Sequence, residues 1–317
     1  MRIARFLLGR LVALIVTLLL SSFAIFGALY LAPGTPLSFL TRGRSMSPEE
    51  IAPLKAQYHL DEPFLLQYWH WLVGALHGDF GTSIVFKQNV LTLLGGHAGN
   101  TLALVSYAAV LILAVGLAVG TASGLHPGKA DTSLMLGATA AMAVPAFVAA
   151  VVLITLFAVN VGWFPVFGPG QGLRDRLWHL TLPAIALALS AVAYVARLSR
   201  ASIRRELGSE HMQTATSRGL PYRIVVRRHV MRNAMIPIIT VAGLTVGGLI
   251  GGAVVVEQAF QLNGLGSYLV EAVGAKDFPV VQAICLIFVA AFIVINTVVD
   301  LVYSLLDPRV TVGKPAP

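Results

Sequence analysis

The hydrophobic positions along the chain fall into long apolar stretches that are separated by short polar segments. Six stretches contain no Asp, Glu, Lys or Arg, and each is long enough to cross a bilayer, which takes about 20 residues. Trimmed at glycine and proline breaks, they predict six transmembrane helices near residues 10–31, 99–124, 134–159, 179–199, 234–256 and 281–304. The pattern therefore predicts an all-α integral membrane protein.

One further apolar segment, residues 63–78, lacks formal charge but is short and contains Gln67, His70 and His77. Its larger apolar residues share one helical face, which predicts an amphipathic helix over 64–77 that lies on the bilayer or packs on the protein. Those residues are Leu65, Leu66, Trp69, Leu72, Val73 and Leu76. Two histidines without further ligand residues predict no metal site.

Counting that segment as a span would invert the topology of everything after it. Nine arginines between residues 197 and 232 would then lie outside, against the positive-inside rule. With six spans and both termini in the cytoplasm, 15 of the 22 Lys and Arg residues lie on the cytoplasmic side. Six spans are therefore the preferred prediction.

Composition agrees with a membrane protein and narrows the function classes. The chain is 57% hydrophobic and only 11% charged, with a mean hydropathy of +0.81, so a soluble globular fold is excluded. The net charge of +8 comes mainly from short loops between spans, where cations set topology, so no nucleic-acid partner is predicted. The single cysteine, Cys285, excludes an intrachain disulfide.

These patterns divide the chain into four regions. An N-terminal transmembrane helix (1–32) precedes an external region (33–97), which has turn signals and many apolar residues and is expected to fold. A core membrane domain follows (98–306), with a long cytoplasmic loop at 200–233, and then a short cytoplasmic tail (307–317).

The loop at 200–233 contains signals for a short separate helix. The fourth span is expected to continue to Leu207 and to stop at Gly208, after which Ser209 is a helix-capping residue and Glu210 suits a first turn. Gly219 is expected to end this helix of about ten residues. It would present small side chains that let another protein approach closely, at Thr214, Ala215, Thr216 and Ser217. The alternative is a solvated amphipathic turn on the membrane surface.

Two rows of glycine at four-residue spacing lie within the predicted spans. Such rows let membrane helices pack closely. We prefer this interpretation to the alternative, in which the backbone at these glycines lines a transport pathway. The rows are Gly116, Gly120 and Gly124 in the second span, and Gly243, Gly247 and Gly251 in the fifth.

No complete catalytic or nucleotide-binding motif is present, and the segment Ser123–Ala130 lacks the first glycine and the closing Ser or Thr of a phosphate loop. Asp300 is the one acidic residue within the predicted spans. An ion-coupled secondary transporter would need its own buried ion site, and a membrane-embedded enzyme would need a polar cluster. Neither alternative is preferred.

A series of short motifs follows one another along the chain: Ala32–Pro36, Leu60–Pro63 with Gln67-Tyr68, Gly78–Ser83, Asn100–Leu102, Arg218–Leu220, His229 with Arg232–Ala234, Ile236-Pro237, Glu257–Phe260, Gly264–Gly266, Lys276–Pro279 with Gln282, Asn296, Asp300, Tyr303 and Leu306–Arg309. In this order, the motifs resemble those of the permease subunits of bacterial ATP-binding-cassette (ABC) importers, in the dipeptide, oligopeptide and nickel branch. The resemblance runs nearly end to end.

The resemblance implies a type I importer permease fold, with residues 209–219 as the coupling helix that enters a cleft of the cytoplasmic ATPase. The residues implied in ATPase coupling are Glu210, Gln213, Thr214, Ala215, Arg218 and Gly219. The general importer signature is Glu-Ala-Ala, three residues, Gly, and only Ala215 and Gly219 match its second alanine and its glycine. Gln213 in place of the glutamate cannot form a salt bridge.

The resemblance also implies the partners and the cargo. The chain would be a non-catalytic transporter subunit in the bacterial cytoplasmic membrane. It would bind no cofactor, since ATP and Mg²⁺ would be bound by two partner ATPase subunits. A second, similar permease and an external solute-binding protein would complete the transporter. Di- or oligopeptides are the preferred substrates, with nickel, glutathione, haem or a glycoside as alternatives. No residue of the substrate pathway is assigned.

Overall fold

The computed structural model describes residues 2–31, 47–57 and 60–306, and nearly all of them are helical. Three π-helical turns join neighbouring helices at Ile112–Gly116, Ile154–Asn160 and Val226–Val230. The α-helices are α1 (Arg2–Leu31), α2 (Pro48–Gln57), α3 (Phe64–Leu76), α4 (Val90–Leu111), α5 (Leu117–Leu125), α6 (Lys129–Met142), α7 (Ala146–Leu153), α8 (Gly172–Leu207), α9 (Glu210–Ser217), α10 (Tyr222–Val225), α11 (Met231–Phe260), α12 (Leu265–Gly274) and α13 (Phe278–Leu306).

Within the described residues, five helical segments are long and apolar enough to cross a membrane, and a sixth span is a bent pair of helices. The five are Leu11–Ala28, Val90–Leu125, Gly172–Leu207, Tyr222–Phe260 and Phe278–Leu301. The all-α membrane class predicted from the sequence is therefore confirmed. The predicted tail at 307–317, and residues 32–46 and 58–59 of the predicted external region, lie outside the described residues.

The third span differs from the single helix predicted near 134–159. Helix α6 ends at Met142, and α7 with its π-turn continues from Ala146 to Asn160 at an angle of 103°. Pro145 causes the break, because proline has no amide hydrogen to donate and disfavours helical geometry in the residue before it. Val144 and Pro145 accordingly lie outside both helices. The apolar pattern alone could not separate a broken span from a straight one.

The second span begins at Val90, nine residues before the predicted start at 99. Gly95, Gly96 and Gly99 led us to predict a break there, because glycine weakens a helix. However, Val90 and Leu94 are buried and pack in one apolar cluster with α12 and α13, so tertiary contacts maintain the helix through the glycines.

The chain divides into two compact units. The first contains residues 1–99 and 264–291, and the second contains residues 100–263 and 292–317. Residues 264–291 thus group with the N-terminal part of the chain, whereas the sequence placed them in the core membrane domain of 98–306.

In the first unit, α3 packs on α1 through aromatic rings. Phe26 contacts Phe64, Tyr68 and Trp71, with ring centroids between 5.5 and 5.7 Å apart. The hydroxyl groups of Ser22 and Tyr68 share a hydrogen bond of 2.8 Å. The face that the sequence pattern singled out is largely exposed instead, with Leu65, Leu66, Trp69 and Leu76 between 44% and 77% accessible. The two faces of α3 are therefore both apolar, and the one that packs on α1 is aromatic.

The second unit is built around α8, and alanine is the commonest of its buried residues, at six of fourteen. Both glycine rows lie in this unit, and the first row faces α8. A Cβ atom added to Gly116 would lie 3.1 Å from Val195, one added to Gly120 2.5 Å from Ser199, and one added to Gly124 2.9 Å from Ile203.

The second glycine row is less uniform. A Cβ at Gly243 would collide with Val299 of α13, and one at Gly247 would lie 3.5 Å from Asn296 and from Phe292. At Gly251, nothing in the described part of the chain lies within 4 Å of the added atom. The first row therefore contacts a neighbouring helix along its whole length, whereas Gly251 faces open space in this chain.

Candidate functional site

Helix α9 lies between two membrane spans and packs against the rest of its own chain through two side chains. Met212 and Ala215 are buried, at 4% and 7% exposure, in a cluster with Ile203 of α8 and with Val225 and Val230 from the segment that follows. Because Met212 and Ala215 are three residues apart, they share one helical face. One face of α9 is thus part of the core of the second unit.

This position corrects our interpretation of Ala215. The sequence suggested that its small side chain leaves room for a docking partner, but Ala215 points inward and is covered by residues of the same chain. Its small size therefore allows α9 to lie close to α8 and α11. A direct contact between the Ala215 side chain and a partner is not supported.

Four other residues that were predicted to couple to an ATPase lie on the exposed face of α9 or, in the case of Arg218, just beyond its end. Glu210, Gln213, Thr214 and Arg218 are all exposed. The Thr214 hydroxyl donates a 3.0 Å hydrogen bond to the Glu210 carbonyl oxygen, so this side chain is held along the helix. Glu210 in the first turn and Arg218 at the end both suit the helix dipole. This face of mixed polar groups is the part of α9 available to another protein.

The end of α9 depends on glycine geometry. Gly219 has a φ of +75°, in the left-handed region that favours glycine, and its amide donates to the Thr216 carbonyl at 2.9 Å. The amide of Leu220 donates to the Ala215 carbonyl at 3.4 Å. These two bonds form a Schellman ending, which stops the helix sharply before Pro221. At the start, Ser209 directly precedes the helix and its hydroxyl donates to the Glu206 carbonyl at 2.6 Å.

A buried ion-pair network that the sequence analysis missed lies close to this region of the second unit. Asp131, in the first turn of α6, is 4% exposed and accepts two hydrogen bonds from Arg200 of α8, at 2.6 and 2.8 Å. Arg204 of α8 donates a third, at 2.6 Å. The sequence did contain a signal for this network, namely one acidic residue in a short segment between two spans and two arginines four residues apart on the long helix α8. The network fixes the loop between the second and third spans to α8.

A second buried polar group that the sequence analysis missed lies near the C-terminal end of α11, in the same unit. Glu257 has no exposed surface, and the Thr101 hydroxyl donates to it at 2.6 Å. The side-chain amide of Asn100 donates to the Leu262 and Asn263 carbonyls, at 3.0 and 3.1 Å. The Asn100–Leu102 and Glu257–Phe260 motifs, which are far apart in sequence, are therefore in direct contact.

In the first unit, the buried carboxylate of Asp277 organises a loop. It accepts hydrogen bonds from the Ser83 hydroxyl at 2.5 Å and from the amides of Ile84 and Val85, both at 3.1 Å. Burial together with the nearby Asp277 and Glu271 carboxylates raises the pKa of Tyr268, on α12, to about 12, so its phenol is neutral at physiological pH. Two further motifs, Gly78–Ser83 and Lys276–Pro279, are thus joined by one carboxylate.

The fold and these contacts define a helical integral membrane protein, and comparison with known proteins identifies its family. Residues 112–312 match the family described as binding-protein-dependent transport system inner membrane component, and residues 3–91 match the N-terminal domain described for the same systems. Because these matches cover most of the chain, the protein belongs to this family and is the non-catalytic permease subunit of an ABC importer. It is a multi-pass protein of the inner membrane.

Curated relatives and solved structures agree with this assignment. The chain is 35% identical over 306 residues to the glutathione transport system permease protein GsiC of Salmonella choleraesuis (strain SC-B67) and to that of Escherichia coli (strain K12). Each match covers 96% of this chain and 98% of the relative. Inward-facing MetNI, a methionine ABC transporter, superposes with a TM-score of 0.57 at 18% identity, covering 68% of this chain and 97% of that chain. The last comparison supports the fold alone.

Proposed function

We propose that this permease forms half of the translocation pathway for short peptides that an external solute-binding protein delivers. The observation that carries the proposal is the 35% identity, over 96% of the chain, to permeases named for glutathione, which is itself a tripeptide. Di- and oligopeptides share its amide linkages, its free amino group and its C-terminal carboxylate. Nickel, haem and glycosides are the alternative cargoes of the same machinery.

We propose that the complete importer pairs this chain with a second, similar permease and with two ATPase subunits that bind ATP and Mg²⁺. Helix α9 is the proposed coupling element. Its exposed face is free to enter a groove of the ATPase, while its buried face, through Met212 and Ala215, connects it to α8 and α11. Movement of the ATPase would then be passed to two membrane spans and change the side to which the pathway opens.

The proposed orientation places both termini, α9 and the Asp131 network in the cytoplasm. The excess of Lys and Arg in the loops assigned to that side supports this orientation. Residues 33–97 would then face outward and form part of the surface on which the binding protein docks. A cysteine introduced at Thr214 is expected to react with a membrane-impermeant thiol reagent in inverted vesicles and not in intact cells.

Competition for uptake tests the proposed substrate. The importer would be reconstituted in liposomes with its ATPase and binding-protein partners, and entry of a labelled dipeptide would be measured. Unlabelled di- and tripeptides, including glutathione, are expected to reduce this entry, whereas nickel, haem and a glycoside are not. Uptake of one of the latter three, with no uptake of any peptide, would contradict the proposed substrate class and leave the permease assignment intact.

A further inference from the structure

Four arginines at the start of the fifth span lie together on one exposed surface, which we call the arginine cavity. Arg223, Arg227, Arg228 and Arg232, with Ile224 between them, line an open cavity of about 570 Å³. All five side chains are exposed. In the part of the chain that the structure describes, no Asp or Glu forms an ion pair with any of the four arginines. The cavity thus concentrates positive charge, with no counter-charge from the described part of the chain.

The shared orientation of these arginines depends on a break in helix geometry. Arg223 and Arg232 are nine residues apart, so in a continuous α-helix of about 3.6 residues per turn they would point to opposite sides. The π-turn at Val226–Val230 lies between them and widens the helix, and both arginines line the same cavity. The π-turn therefore brings the four arginines to one side of the segment, where they line the same cavity.

The cavity lies next to the apolar part of the span. The helical segment Tyr222–Phe260 has 39 residues, about 58 Å at 1.5 Å per residue, whereas the hydrocarbon core of a bilayer is about 30 Å thick. After Arg232 the next charged residue along the chain is Glu257, so the stretch between them fills the hydrocarbon core. This places Arg232 at the edge of the hydrocarbon core, with the rest of the arginine cavity on the headgroup side of it.

We propose that the arginine cavity binds the phosphate of an anionic phospholipid headgroup. Guanidinium groups form paired hydrogen bonds with phosphate oxygens, and several of them together neutralise a charge that a single arginine would not hold. The neighbouring apolar side chains favour a lipid over an acidic protein surface, since Tyr222 is 65% and Ile224 46% exposed beside the arginines. Tyrosine with an adjacent apolar residue is typical of the membrane interface.

Binding of a short-chain anionic lipid to the purified full-length chain tests this proposal. Dioctanoyl phosphatidylglycerol would be titrated into the protein in neutral detergent, with bound lipid counted by native mass spectrometry, and dioctanoyl phosphatidylcholine would serve as the zwitterionic comparison. The variant R228Q/R232Q is expected to bind phosphatidylglycerol about 30-fold more weakly, at about fivefold for each arginine removed. The variant R228K/R232K, which keeps the charge but loses the paired guanidinium hydrogen bonds, is expected to bind more weakly than the wild type and more tightly than R228Q/R232Q.

The matched control replaces two exposed arginines elsewhere, R174Q/R197Q, and is expected to bind as the wild type does. Equal loss of binding in this control, or wild-type binding by R228Q/R232Q, would overturn the proposal. Displacement of the lipid by millimolar inorganic phosphate would indicate a site for free anions and would also overturn it. If R228Q/R232Q binds the lipid as the wild type does but no longer co-purifies with the ATPase subunits, the cavity would be assigned to an acidic protein partner instead.

Discussion

The contact between the first glycine row and α8 predicts that a single methyl group at Gly120 weakens the second unit. A Cβ atom there would lie 2.5 Å from the Ser199 Cβ and 2.6 Å from the Ala196 carbonyl oxygen. Non-bonded carbon atoms prefer a separation of about 3.5–4.0 Å, so α5 and α8 would have to move apart by about 1 Å. The backbone oxygen cannot rotate away as a flexible side chain would.

Such overpacking costs about 1–3 kcal/mol in well-packed interiors. Replacing glycine by alanine also stabilises a helix by about 1 kcal/mol, which partly hides the steric cost. Gly251→Ala supplies the matched comparison, because Gly251 also lies in a membrane-spanning helix and nothing in the described chain lies within 4 Å of its added Cβ. The difference between the two variants, about 1–3 kcal/mol, therefore isolates the steric term.

The assay is thermal denaturation of the purified permease in detergent, followed by loss of the monodisperse peak in size-exclusion chromatography. Gly120→Ala is expected to lower the midpoint, and Gly251→Ala is expected to leave it unchanged or raise it. Equal midpoints for the two variants would refute the close approach of α5 and α8 at this glycine.

Three further predictions concern α9 and the Asp131 network. Asp131→Asn removes the counter-charge of two arginines and is expected to lower the melting midpoint of the purified chain, whereas Arg197→Gln, which breaks no ion pair in the described part of the chain, is not; equal melting midpoints would contradict the network. Ala215→Arg forces a charged side chain into a filled interior, so the amount of folded protein is expected to fall; full abundance would show that Ala215 is not buried. Gly219→Ala places a side chain at a positive φ, which costs about 1–2 kcal/mol. It is expected to reduce binding-protein-stimulated ATP hydrolysis more than Gly208→Ala does, because Gly208 has a φ of −87°. Equal rates of hydrolysis for the two variants would contradict the helix ending.

Much of the fold follows from local sequence signals. Long charge-free stretches identify membrane helices because the bilayer requires continuous apolar surface. Gly219 marks a helix end because its positive φ favours glycine. The same signals failed where tertiary contacts or a single proline decide the structure. Val90 and Leu94 extend α4 through a run of glycines, and Pro145 divides the third span, although the apolar pattern continues past both positions.

The candidate site was predictable in position but not in orientation. The loop signals and the resemblance placed α9 between two spans, yet no local pattern could show that Ala215 faces its own chain, because that depends on the arrangement of α8 and α11. The buried carboxylates were missed for a similar reason. Asp131, Glu257 and Asp277 have partners that are between 69 and 194 residues away in sequence, and only the folded chain brings them together.

The central claim is that the exposed face of α9 binds the ATPase, and Thr214→Trp tests it most directly. Thr214 is exposed, so the isolated chain is expected to fold and melt as the wild type does, while the indole would obstruct a groove that encloses α9. Thr132→Trp is the matched control, since Thr132 is exposed on α6 and its hydroxyl bonds the carbonyl four residues earlier, as that of Thr214 does. The measurement is the amount of ATPase that co-purifies with each tagged permease. We predict loss of the ATPase with Thr214→Trp and retention with Thr132→Trp; full retention with Thr214→Trp would contradict the assignment of α9 as the coupling helix.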